Sequence, residues 1–205
     1  MISLIWNCQG AASGAFRRTF NQFVRLHKPA IVCLLEPKVS GSQANGICSC
    51  FGFSEWVRIE AIGFSGGIWL LSVVYGSPNM QLRRKLFADL SSQDLGLQGP
   101  WLSVGDFNSV LKKEEVSNSD TFNTARCTDF SDWIFREGLI DLGFTGSPFT
   151  WMRGINTTTF KGARLDRALA NGDWRIRFPE ARVEHLPMIA SDHCPLLIDT
   201  CASSL

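Results

Sequence analysis

The sequence predicts an α/β fold, a four-layer sandwich in which two mixed β-sheets pack face to face with helices outside. Three observations carry that reading. Short apolar, β-prone runs recur along the chain, amphipathic helical segments lie between some of them, and the runs end repeatedly in acidic or amide residues. The 205 residues fit one domain spanning 1–205, and no repeat, low-complexity tract or linker divides them. Hydrophobic residues make up 45% and charged residues 19%, with 7 Trp and 15 Phe to fill a core, a composition that packs as a globule.

The chain starts in a strand, Ile2 to Trp6, which ends at the turn-like Asn7-Cys8-Gln9-Gly10. Ser13 is placed to cap a helix whose Phe16, Phe20, Phe23, Val24 and His27 fall at helical spacing before Pro29 stops it. Ile31 to Leu35 forms the next strand, broken by Glu36-Pro37. Phe53 to Glu60 alternates as a half-buried strand, and Ile68 to Tyr75 reads as a strand buried on both faces. Leu82, Leu86 and Leu90 place a helix over Met80 to Leu90. Trp101 to Gly105 is a buried strand that delivers Asp106-Phe107-Asn108.

From Thr124 a helix carries Phe130, Trp133 and Ile134 on one face, and Gly138 closes it. Short β-like pieces follow at Leu139–Leu142, Phe149–Met152, Thr157–Phe160 and Arg182–Leu186. The last strand spans Pro195 to Asp199.

Bulk properties narrow the function. The formal net charge of +1 gives no global field for an acidic partner, although local clusters stand at Arg17-Arg18, Arg83-Arg84-Lys85, Lys112-Lys113 and Arg175/Arg177. The plain reading of any one cluster is a solvated helix face. No run approaches the roughly 20 apolar residues of a membrane span, and the N-terminus lacks the basic start of a signal peptide. Seven scattered cysteines without a CxxC pair point to a reducing compartment, so the protein is expected to be intracellular, nuclear or cytoplasmic, and not secreted. No obligate protein partner is evident.

Asn7, Glu36, Asp106 with Asn108, and Ser191-Asp192-His193 all stand where apolar runs turn, and Arg164-Leu165-Asp166-Arg167 is a fifth candidate. Each alone has a structural explanation, since turns favour such residues. Together they form a hydrolytic set: carboxylates for a hard divalent cation, amides for a phosphate, and a His–Asp pair for a poised proton.

The motifs WNCQG, LLEPK, VVYGSPN, GDFN, RLDR and SDH, in that order from Ile2 to Asp199, resemble the endonuclease/exonuclease/phosphatase superfamily. The wording SGGIW, PWLSVGDFN, FTW, RLDRAL and SDHCPLL is more narrowly similar to endonuclease domains of plant non-LTR (LINE-type) retrotransposons. The resemblance implies Mg²⁺, with Mn²⁺ as a substitute, held by Glu36 with Asn7 and Asp192. It implies that Asp106 orients or deprotonates the attacking water, that Asn108 binds the scissile phosphate, and that Tyr75 and Asn79 help hold it. Asp166 would orient His193.

The implied activity is metal-dependent hydrolysis of phosphodiester bonds in DNA by an endonuclease of retrotransposon origin. The alternatives are a phosphatase or phospholipid phosphodiesterase of the same fold, and a catalytically inactive retroelement remnant. Two features depart from the family pattern. Gln9 stands where many relatives place an acid, and GGIWLLSVVYGSP runs without a turn where relatives insert further β-structure. Strands are therefore expected to be missing between Leu71 and Val73, about 20–40 residues at usual lengths.

Overall fold

The computed structural model describes residues 1–53, 70–93, 99–118, 120 and 122–201. Two sheets form its centre. The five-stranded sheet has the order β2-β1-β11-β10-β6, built from β1 (Ile2–Asn7), β2 (Ile31–Leu35), β6 (Thr145–Gly146), β10 (Arg182–His185) and β11 (Leu196–Asp199). The four-stranded sheet has the order β3-β4-β9-β5, from β3 (Leu70–Tyr75), β4 (Trp101–Asp106), β5 (Ile140–Asp141) and β9 (Asp166–Ala170). A separate hairpin pairs β7 (Trp151–Arg153) with β8 (Lys161–Ala163).

The sheets are mixed: β1 runs parallel to β2 and antiparallel to β11, while β4 runs parallel to β3 and antiparallel to β9. Helices α1 (Gly14–His27), α2 (Gly41–Ser49), α3 (Met80–Asp89), α4 (Thr128–Arg136) and α5 (Gly172–Arg177) connect and cover them.

Three apolar clusters show the layers. Ile5, Leu102, Val104, Ala168, Ala170, Val183, Leu196 and Ile198 join in one buried cluster, so the inner faces of the two sheets pack on each other. The neighbours of Ile5 on β1 turn away: Leu4 and Trp6 meet Phe16, Phe20 and Phe23 of α1. On the other side Val74, Trp101 and Leu169 meet Phe87 of α3 and Phe130 and Trp133 of α4. Burying each such aromatic contributes roughly 1.5–3 kcal/mol.

Strand alternation then dictates where the polar ends point. Ile5 faces inward, so Asn7 does too; Leu102 and Val104 place Asp106 inward; Ala168 and Ala170 do the same for Asp166. Asp106 and Asp166 are direct partners in the β4–β9 register, and Tyr75 is the partner of Asp106 on β3. The strand ends thus gather these groups at one edge of the sandwich.

Glycine makes this edge compact. Gly105, at φ +140°, lies so close to β3 that a Cβ would meet Val74 O at 2.1 Å. Gly76, just past β3, would place one 2.3 Å from Phe107 O.

Several local expectations need correction. Thr157–Phe160 is a turn and the strand begins at Lys161: Gly154 (φ +64°) and Asn156 (φ +64°) take left-handed conformations, and the Thr157 hydroxyl donates to Gly154 O at 2.7 Å. The strand expected over Ile68–Tyr75 is described from Leu70, and it is not buried on both faces. Among the described residues β4 is its one partner, Val73 is half-buried and Tyr75 exposed.

Tyr75 nonetheless keeps its register with Asp106 as one continuous strand. The strand expected at Phe53–Glu60 lies, beyond Phe53, outside the described residues, as does Gly66-Gly67-Ile68. Helix α2 escaped notice because GSQANGICS has no apolar period and buries Ala44 alone. Helix α5 and strand β9 do not follow from the sequence pattern, β9 because two of its five positions, all buried, are the charged Asp166 and Arg167.

Gly105→Ala should destabilise the fold by at least about 2 kcal/mol, since the added Cβ meets backbone and the φ suits glycine. Chemical denaturation checks this; a variant as stable as wild type would show that β3 and β4 can separate without loss.

Candidate active site

The gathered strand ends open into a cleft of about 540 Å³ lined by Asn7, Glu36, Tyr75, Asp106, Asn108 and His193, with Gln9, Pro78, Arg83, Trp151, Arg153 and apolar walls from Val110, Val116 and Leu165. Its floor is Asp106, 1% exposed. Asn7 Nδ2 donates to Asp106 Oδ2 at 3.1 Å, and Asn108 Nδ2 to the same oxygen at 3.0 Å. The Asn108 backbone N–H donates to Asp106 Oδ1 at 2.8 Å, and its Nδ2 also reaches Gly76 O at 2.7 Å. This ring of bonds holds Asn108 in a left-handed conformation (φ +47°), which an asparagine tolerates better than most residues.

His193 completes the floor. Its Nδ1 stands 2.9 Å from Asp166 Oδ2, and its Nε2 lies 3.9 Å from Asp106 Oδ2. A buried hydroxyl backs the pair: Thr150 Oγ1 accepts from the backbone N–H of Leu165 and of Asp166, each at 2.9 Å. Thr150 O accepts from Cys194 N at 2.7 Å, so one residue ties the two strand starts together. Ser191 Oγ accepts from His193 N at 3.1 Å and donates to Asn7 O at 2.8 Å, joining the histidine to β1.

Burial is the largest influence on Asp106, and with the charge of Asp166 it pushes the carboxyl up to about 7, against the pull of His193 and the amide donors. Burial would lower the His193 pKa, but the hydrogen bond and charge of Asp166, with Asp106 behind it, raise it to about 9. At neutral pH the imidazole therefore carries its proton, and Asp106 holds a proton more readily than an ordinary carboxylate. The Tyr75 phenol is pushed far up by burial and by Glu36, to whose Oε1 it donates a hydrogen bond. It stays a donor across the working range.

Glu36 takes a left-handed conformation (φ +47°) at the end of β2, and its other oxygen lies 3.7 Å from Lys38 Nζ. Asp192 lies against the hairpin, its Oδ2 accepting from Trp151 Nε1 and Arg153 Nε, each at 3.0 Å. Asn79 is the exception among the expected residues. Its Oδ1 caps α3, accepting from Gln81 N and Leu82 N, because the helix opens directly after Pro78; it is exposed and absent from the cleft wall, where Pro78 and Arg83 stand instead. Thr150, Trp151, Arg153 and Arg83 were not anticipated as site residues.

Ligand atoms of Asp106, Asp166 and His193 lie within 4.8 Å of one another, a spacing able to hold a metal ion. The commitment of His193 Nδ1 to Asp166 favours a proton-carrying arrangement for these three. Oxygen donors for a hard cation stand in the same cleft at Asn7 and Glu36, while Asp192, the third expected ligand, lies behind Trp151 and Arg153 and is not part of the cleft lining. Asn7 Oδ1 and Asp192 Oδ1 are buried and have no hydrogen-bond partner among the described residues, and the Glu36 carboxylate lines the same cleft as Asn7. Buried oxygens of this kind ordinarily have partners, so the donor set fits a divalent cation.

The sequence from residue 4 to 193 matches the model of the Endonuclease/Exonuclease/phosphatase family. The chain belongs to that family. Among solved structures, it is similar to a 3′-5′ exonuclease from Neisseria meningitidis, with TM-score 0.71 at 16% identity over 97% of this chain and 99% of the other. It is also similar to an AP endonuclease from Leishmania major, with TM-score 0.68 at 13% identity over 96% and 86%. The endonuclease domain of TRAS1, a telomere-specific non-LTR retrotransposon, matches with TM-score 0.59 at 14% identity over 97% of each chain. A search of curated proteins with the sequence returned no match.

At these identities the structures share the fold, and family membership supports hydrolysis of phosphate esters. No helix among the described residues is long and apolar enough to cross a membrane.

Asp166→Asn should bring the His193 pKa down from about 9, because the negative charge that raises it is removed and its charge-assisted hydrogen bond becomes a neutral one, while burial still lowers it. NMR titration of the imidazole reads this directly. An unmoved pKa would mean that Asp166 does not set the charge of His193.

Proposed function

We propose that this protein is a divalent-metal-dependent DNA endonuclease, of retrotransposon origin, that hydrolyses phosphodiester bonds with Asp106 and His193 as its central pair. The observation that carries the reading is the buried Asp106 carboxylate, held by the Asn7 and Asn108 amides and facing a His193 ring that Asp166 keeps charged. A structural role alone does not call for two acids converging on one imidazole at the floor of an open cleft.

Asp106 orients the attacking water and accepts its proton, for which a pKa near the working pH is suited. Asn108, by exchanging its Nδ2 bond to Asp106 or Gly76, donates to a non-bridging oxygen of the scissile phosphate. Protonated His193 faces the charge that grows on the phosphorane oxygens, and the Tyr75 hydroxyl, released from Glu36 when the cation takes that carboxylate, is a further donor in the cleft. Mg²⁺ or Mn²⁺, held by Glu36, Asn7 and Asp192, would when bound supply further neutralisation of that charge.

The endonuclease reading draws on the likeness to the Leishmania AP endonuclease and the TRAS1 endonuclease domain, and the retrotransposon origin on the latter and on the RLDRAL and SDHCPLL motifs.

Purified protein should nick supercoiled plasmid in Mg²⁺ and stop in EDTA. Equal nicking in EDTA contradicts metal dependence, and faster turnover of a phosphomonoester than of plasmid contradicts the choice of substrate. His193→Ala should lower the rate by roughly 10²–10⁴-fold with DNA affinity nearly unchanged, since a proton-carrying group acts in the transition state. Affinity falling in step with rate would make His193 a structural or ground-state contact.

A further inference from the structure

Asp166 lies two residues after one buried arginine and one residue before another, and neither takes part in the chemistry above. Arg164 is 6% exposed and Arg167 has no exposure, and both meet the same two carboxylates. Arg164 donates to Asp141 from Nη2 at 2.8 Å and from Nη1 at 2.9 Å, and its Nη1 lies 3.5 Å from Glu115 Oε1. Arg167 Nη1 reaches Asp141 Oδ2 at 2.8 Å and its Nη2 donates to Glu115 Oε2. Two cations thus balance two anions. A buried cluster of this kind is a poor source of stability compared with apolar packing, but it specifies one arrangement of the segments that bear it.

Two of those segments border the active site, one running on from Asn108 and the other carrying Asp166. Glu115 closes the loop that starts at Asn108, because its Oε2 also accepts from Leu111 N at 2.7 Å. The backbone of Glu115 accepts from Arg164 N at 2.9 Å, Phe107 N donates to Leu165 O at 2.9 Å, and Val116 bridges to Ala163. The loop that carries Asn108 is therefore laced along the strand start that carries Asp166, and the Glu115 side chain joins the loop to both arginines.

We propose that Glu115 is a positioning residue: through Arg164 and Arg167 it locks the Asn108 loop against the start of β9 and so keeps Asn108 and Asp166 in working register. It touches neither the substrate nor the reacting atoms. The inference rests on the hydrolytic reading above, and the experiment separates the two.

Steady-state rates on a short DNA duplex are measured for wild type, Glu115→Gln and a core control, Ile198→Ala, below the melting transition of each. Ile198 lies in the cluster between the sheets, away from the cleft wall. Glu115→Gln should lower kcat roughly 10–100-fold, the scale of an ångström-sized misplacement, with KM within about twofold. The control, with a comparable loss of melting temperature, should keep its kcat.

A Glu115→Gln enzyme with wild-type kcat overturns the proposal, and so does a control that loses as much. Wild-type protein without metal-dependent hydrolysis overturns the functional reading instead. Should Glu115→Gln fail to fold, Asp141→Asn loosens the same clamp from its more exposed side and must show the same fall in kcat, or the proposal is wrong.

Discussion

Side-chain alternation along β1, β4 and β9 is the constraint on which the cleft depends. Ile5, Leu102, Val104, Ala168 and Ala170 must face the opposing sheet to form the core, and the period of two then leaves no choice for the residues beyond them. Asn7, Asp106 and Asp166 point into the space between the sheet edges because the apolar residues behind them point into the core. A one-residue slip in any of these strands would turn its polar end, Asn7, Asp106 or Asp166, toward the helix-covered face and put a core residue in its place. Folding energy and site geometry therefore rest on the same register, which explains how functional residues spread over nearly the whole chain are held together.

Electrostatics makes a second use of that geometry. Asp106 is buried yet keeps hydrogen-bond donors on both oxygens, and Asp166 stands opposite it in the β4–β9 pairing. Two acids this deep would repel each other in isolation. The His193 imidazole beside them lets the trio carry less net charge than two bare carboxylates: burial and the charge of Asp166 raise the Asp106 pKa, the imidazolium pulls it back down, and the two acids together raise that of His193. The positive-φ conformations of Glu36 and Asn108 fall at this same edge, where local backbone strain is commonly tolerated for function.

Much of this was legible from the residues. The strands that build the core announced themselves as apolar runs, Ser13 capped α1 as its position suggests, and the acidic and amide residues at strand ends lie where the chain turns. What escaped has physical causes. Helix α2 and the residues of the Thr157 turn carry weak or misleading periodicity, and β9 is read correctly only when its partners are known, since Asp166 and Arg167 look like surface residues and are buried. Asn79 illustrates the reverse error: an asparagine after Pro78 serves as a helix cap, a role its own neighbours decide. Thr150 could not be recognised at all, because its importance lies in two backbone N–H groups brought to its hydroxyl from residues 165 and 166.

The account stands on Asp106 and His193 working as one unit across the 3.9 Å between them. A double-mutant cycle on the metal-dependent cleavage rate, with Asp106→Asn, His193→Ala and both together, tests this most directly. Groups that act in one step are strongly non-additive, so the double variant is predicted to be within about threefold of the slower single variant. Losses that multiply would contradict it, and would mean that the two residues serve separate ends.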